Sequence, residues 1–218
     1  MAYSNLEGCL HTAGESLDGI RQALLDISSG KVKGGAAEAL HASTYVLISA
    51  TLERTLKESL TALVNEINAT RTPLIQVRPS LFSLICDSQF VSIANSGAHE
   101  SLNRRVDLTL QFSSHDQCLL NESILPLDGR TIRKKHFDPI WRVFGFSNNS
   151  LDLPRHQFTL ETVANFRNDV AHGDASLAEV AGRQTVEDTL RYVDEIEAVL
   201  LHFYSTAEDY LLKSLYVR

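Results

Sequence analysis

Residues 159–173 read "TLETVANFRNDVAHG". Leu160, Val163, Phe166 and Val170 recur at steps of three and four, the period of one face of an α-helix. Gly173 stands where such a helix takes a left-handed C-terminal cap. The spacing therefore predicts a helix over 159–172 that ends on Arg167, Asn168, Asp169 and His172. Asn168 and His172 are four apart and share a face; Arg167 is five from His172 and lies round the cylinder, within reach of its long side chain. Two readings are open. One is a helix end that sets cations at the negative end of its dipole. The other is a small reaction centre.

Outward from this stretch the helical pattern continues. Thr185, with Asp188 three residues later, opens a terminal helix whose stripe is Val186, Leu190, Val193, Ile196, Leu200, Phe203, Tyr210 and Leu211. Residues 5–27 carry Leu6, Leu10, Leu17, Ile20, Leu24 and Ile27 at mostly helical steps. The glycine-rich connection at 28–35 lacks the GxxxxGK[ST] order of a phosphate-binding loop. From Ala36 to about Asn68 neither glycine nor proline interrupts the chain, and Leu40, Val46, Leu47, Leu52, Leu56, Leu60, Leu63, Val64 and Ile67 describe a buried bundle helix. Glu53 and Arg54 fall within it. They either face solvent beside Lys57 and Glu58, or Glu53 turns toward a polar site.

Residues 71–150 give a weaker signal. Pro73 and Pro79 bracket a turn, and "SLFSLICDSQFVSIAN" suits a helix. "VDLTLQF" alternates at Val106, Leu108, Leu110 and Phe112, a strand pattern on a short segment, and helix and strand both stay open. A turn is expected at Asp128-Gly129. "DPIWRVFGF" places Asp138 as a cap and Pro139 at the first helical position, with Trp141 and Phe144 toward the core. The expected architecture is all-α: an antiparallel helical bundle in one domain over 1–218, with a small β or irregular insertion at about 71–150.

The composition sets limits on function. Hydrophobic residues are 44% and charged residues 22%, ordinary values for a globular chain, and no apolar run approaches the roughly 18 residues of a membrane span. No secretory signal is evident at the N-terminus, and three widely spaced cysteines (Cys9, Cys86, Cys118) suit reduced thiols in a cytoplasmic setting. The net charge of −7 means that any contact with nucleic acid is local. Basic residues gather at Arg130, Arg133, Lys134, Lys135 and His136, either a solvated charged face or, in the first four, a candidate RNA-binding group. Neither HExxH nor CxxC occurs, so no metal and no cofactor is expected.

With these residues in view, "FRNDVAHG", the long terminal helix after it and the helix around "YVLISATLERTLKESL" resemble a HEPN domain of the RiboL-PSP type. The family signature is an arginine, a polar residue, and a histidine four to six positions after the arginine; Arg167, Asn168 and His172 match it. The same bare spacing occurs at Arg130 and His136, without the asparagine or the capped helix. The resemblance implies a helical bundle, a metal-independent ribonuclease and a homodimer whose two motifs meet at the two-fold axis, with RNA and an antitoxin protein as partners. Some members are modified on a tyrosine two residues after the histidine; Asp174 occupies that position here, so that mode of control is not expected.

The residue types suit the chemistry. RNA carries its own nucleophile, the 2′-hydroxyl beside the phosphate. His172 has the pKa class of a general base near neutrality, Arg167 presents a planar fork to phosphate oxygens, and Asn168 orients or donates. Glu53 and Asp169 are candidate supporting groups. One histidine cannot take and give a proton in one concerted step, so a second copy supplies the acid. The rival readings are a non-catalytic RNA- or protein-binding dimerisation module, and a plain helical protein whose Arg167 and His172 only cap and pair.

Overall fold

A computed structural model describes residues 4–125, 127 and 131–218. Among them the chain forms eight α-helices: α1 (Ser4–Ser28), α2 (Gly35–Ala69), α3 (Asp87–Ala94), α4 (Ala98–Gln111), α5 (Lys134–Phe144), α6 (Pro154–His172), α7 (Leu177–Ala181) and α8 (Val186–Leu212). Short 3-10 turns at Leu74–Gln76, Pro79–Leu84 and Glu122–Ile124 join them. No helix is long and apolar enough to cross a membrane among the described residues.

Helices α1, α2, α6 and α8 make the bundle. α2 packs against α1, α6, α7 and α8, which explains why it buries residues on most of its circumference, from Tyr45, Ile48 and Leu52 to Leu63, Val64 and Ile67. At the start of α2, His41 and Tyr45 meet Thr189 at the start of α8, both at 2.8 Å. Beyond their far ends, Val77 pairs with Val217. α2 and α8 are therefore parallel. α6 runs against both, since Phe166 packs edge-on against Tyr45 and Thr159 donates to Glu195. α1 also opposes α8, with Arg21 bound to Asp194 and Glu197.

The middle third is helical and irregular, and no strand occurs among the described residues; two isolated β-bridges are the extent of sheet pairing there. "VDLTLQF" lies at the end of α4. Its alternation is a coincidence of two helical stripes: Leu108 and Phe112 face inward, while Val106 and Leu110 continue an outward stripe from Leu102. The "SLFSLICDSQFVSIAN" segment divides into a 3-10 turn and α3. α5 begins at Lys134, not at Pro139. The His136 ring accepts the Arg133 N–H and caps the true start, so Pro139 sits inside the helix and Asp138 is taken by Lys134 and Ser150. α6 likewise starts at Pro154, five residues ahead of the expected Thr159. The turn expected at Asp128-Gly129, like Arg130, lies outside the described residues.

After α4 the chain returns along the bundle as a strap. Asn68 on α2 donates to the Leu120 carbonyl and accepts its N–H, at 3.1 and 2.8 Å. Leu125 and Leu127 then lie beside Leu60 and Thr61, and Arg133 reaches Glu161 and Asn165 on α6. The buried residues of strap, middle helices and bundle form one cluster, in which Trp141, Phe144, Phe203 and Tyr210 are prominent.

Besides His136 at the start of α5, two histidines are buried in this framework. His41 bonds to Thr189, whereas neither ring nitrogen of His156 has a partner among the described residues. Burial pushes both below the usual imidazole range; at His156 the nearby Glu195 works in the opposite direction. Above about pH 6.5 folded and unfolded rings are both neutral. Below it the unfolded chain binds protons that the folded chain refuses, so stability falls as the solution becomes more acid. The melting temperature is expected to drop from about pH 6.5 downward. In His156→Leu the drop should be shallower, without loss at neutral pH. Superimposable melting profiles for the two proteins down to pH 5 or so would exclude His156 as an acid-sensitive group.

Candidate functional site

The end of α6 is built by local rules. Gly173 takes the left-handed conformation, φ 70° and ψ 24°, and its N–H returns to the Asp169 carbonyl, as does that of Asp174 at 3.0 Å. The chain then turns through α7, which Ser176 and Glu179 cap reciprocally, and enters α8 through the Thr185–Asp188 box. The sequence reading contained no α7, although "SLAE" carries its capping signal.

At this end His172 is exposed on the last turn, and no hydrogen bond or ion pair holds its ring among the described residues. Arg167 is half-buried. Its Nη1 donates to the side-chain oxygen of Asn168 at 3.2 Å, and among the described residues no carboxylate neutralises it. The same Asn168 oxygen accepts from the Thr131 hydroxyl at 3.0 Å. With that oxygen turned to Arg167 and Thr131, the amide NH₂ of Asn168 is free to donate elsewhere. The arrangement thus offers an uncompensated guanidinium, an amide donor and an accessible imidazole along one helix end.

Asp169, a candidate supporting residue, is bound to Arg183, whose guanidinium also lies 5.7 Å from the centre of the Phe166 ring. Its role is to tie α6 to the turn before α8. Glu53 is not brought to the motif. It lines an open groove of about 1240 Å³ between α1 and α2, together with Arg54, Lys57 and Glu58, and no residue of α6 lines that groove. Of the candidate RNA-binding group, Arg133 is bound to Glu161 and Asn165, and Lys134 to Asp138 at 2.7 Å. Lys135 is exposed, and Arg130 lies outside the described residues. His136 is buried in the cap of α5, so the second arginine–histidine spacing does not place an accessible imidazole.

Thr131 and Arg183 were absent from the sequence reading. No pattern marks Thr131, which stands 37 positions from Asn168. Arg183 had a weak signal, as the basic residue in the short turn between the capping boxes.

The HEPN_MAE_28990-like HEPN family model matches residues 4–216. Its description names that group and does not specify the RiboL-PSP type. No curated protein and no solved structure matches the chain. Because the family match spans nearly all of it, the chain belongs to this HEPN family.

The exposure of the motif gives a stability test. His172→Ala removes an exposed, unbonded ring and should change unfolding free energy by no more than about 0.5 kcal/mol. Phe166→Ala, six residues earlier, removes the ring packed on Tyr45 and under Arg183 and should cost roughly 2 kcal/mol or more. Denaturant unfolding distinguishes the two. Equal losses would mean that His172 is a packing residue.

Proposed function

We propose, with membership of this HEPN family as the premise, that the end of α6 is a ribonucleolytic centre and the chain a metal-independent endoribonuclease. One observation carries the reading: His172 is accessible and unbonded on the same helix end as Arg167, a guanidinium whose charge no carboxylate neutralises among the described residues. A helix cap formed for stability alone would spend these groups on the fold. The neighbouring Asp169, Arg183, Arg133 and Glu161 are all spent in that way.

In the proposed reaction His172 takes the proton of a ribose 2′-hydroxyl, and that oxygen attacks the adjacent phosphorus. Arg167 and the Asn168 NH₂ donate to the non-bridging oxygens as negative charge grows on them. The 5′-oxygen leaves with a proton from His172 of a second copy across a two-fold axis. The products are a 2′,3′-cyclic phosphate and a 5′-hydroxyl end. Such an activity suits a toxin or defence effector, held in check by an antitoxin protein.

Cleavage of labelled RNA is expected to persist in EDTA and to yield those two ends. His172→Ala should lower the rate by roughly 10² to 10⁴. Arg167→Ala should reduce cleavage and also weaken RNA binding, since it removes a phosphate contact. Asn168→Asp provides a sharper test, because the new carboxylate pairs with Arg167: the fold should be retained at equal or higher melting temperature, while affinity for a short RNA falls by about tenfold or more. Activity that requires added magnesium would refute the mechanism. RNA binding without cleavage by the wild-type protein would identify a non-catalytic RNA-binding module, and neither activity a protein-binding one.

A further inference from the structure

We infer that the α3–α4 hairpin is a self-association arm, which pairs in parallel with the same arm of a second copy of this chain. The first observation is that the hairpin is poorly supported from within. α3 has no buried residue, α4 has only Ser101 and Leu108, and the two pack on each other rather than on the bundle helices. Helices of 8 and 14 residues are marginal in water without an apolar face buried against something.

The second observation is the face left open. Leu102, Val106 and Leu110 are 63%, 50% and 65% exposed. Placed at steps of four, they form one continuous stripe along the outer side of α4. Phe90 and Val91 of α3 are also about half exposed. Single exposed apolar residues are ordinary, whereas a contiguous stripe on a projecting element marks a contact surface.

The third observation selects the occupant. Arg105 and Asp107 flank Val106, are exposed, and have no charged partner among the described residues. On a helix they lie about 100° to either side of the stripe. Two α4 helices related by a two-fold parallel to their axes bring the left flank of one against the right flank of the other. Arg105 then meets Asp107 of the second copy, twice, while each stripe residue meets its own counterpart. Antiparallel pairing would instead set arginine against arginine and aspartate against aspartate, a costly arrangement. The charge pattern thus fits a second copy in a stated orientation.

The arm is rooted at 72–78 and 113–118, which are hydrogen-bonded to each other beyond the far end of α2. Phe166, by contrast, meets Tyr45 near the start of α2. This surface is therefore separate from any that unites two His172 rings, and the inference is independent of the ribonuclease reading.

Sedimentation of the full chain over roughly 1–100 μM, where interfaces of modest affinity assemble, is expected to show one association step that Leu102→Glu/Leu110→Glu removes, with far-UV dichroism unchanged. Arg105→Glu should weaken that step by about tenfold or more, since it sets like charges together twice. The exchange Arg105→Glu/Asp107→Arg should restore it. In a Cys9→Ser background, Leu102→Cys should form a 102–102 disulfide on mild oxidation. An assembly state unaltered in the folded Leu102→Glu/Leu110→Glu protein, or a charge exchange as weak as the single change, would overturn the inference. So would the absence of the 102–102 crosslink together with preferential crosslinking of Leu102→Cys to Leu110→Cys, the antiparallel outcome.

Discussion

A single hydroxyl sets the register on which the bundle depends. Thr189 Oγ1 is fully buried and has three neighbours: the Thr185 carbonyl at 3.1 Å, and His41 Nε2 and Tyr45 Oη at 2.8 Å. A hydroxyl has one proton and two lone pairs. Its proton suits the carbonyl, and its lone pairs suit the Nε2–H of a neutral His41 and the phenol of Tyr45, which burial holds protonated with its pKa pushed up to about 12. This satisfied knot joins the starts of α2 and α8. A slip of one residue would leave His41 and Tyr45 buried without partners, at a cost of about 1–3 kcal/mol each. Because Phe166 packs on Tyr45, the same knot fixes how far α6 reaches and where Arg167 and His172 emerge.

The strap between α4 and α5 performs a second fixing. Hydrogen bonds at Asn68 anchor its beginning, and the contacts of Thr131 and Arg133 with α6 anchor its end. Partly exposed ion pairs such as Arg133–Glu161 contribute little stability one by one. Their value is positional. Through Thr131 the strap orients the Asn168 amide, and through Asn168 it steadies Arg167. The end of the middle third is thus tied to the end of α6, although it is remote from it in the chain.

The electrostatics follow the same division between general and local. A net charge of −7 gives the surface no broad attraction for polyanions. Many of its cations are neutralised by neighbours, among them Arg21, Arg133, Lys134 and Arg183. Against that background Arg167 is one of several arginines that no carboxylate neutralises among the described residues, Arg105 being another, and its only hydrogen-bonded side chain there is a neutral amide, which leaves its charge available.

The sequence by itself determined the helices that obey local rules. The stripes of α1, α2 and α8, the Gly173 stop and the Thr185 box were legible because period, cap and left-handed glycine are properties of a few neighbouring residues. The motif at Arg167, Asn168 and His172 was legible for the same reason, as was the HEPN resemblance that the family match bears out. Only the tertiary structure decided the rest. It settled α4 as a helix, because a segment with apolar residues on two helical faces reads in sequence like an alternating strand. It moved the start of α5 to Lys134, since the His136 cap competes successfully with the Pro139 signal. It separated Glu53 from the motif and bound Arg133 and Lys134 to carboxylates, because whether a charged residue is free depends on which elements pack beside it. It brought Thr131 to Asn168 across 37 positions, a contact set by the path of the strap and encoded in no local pattern.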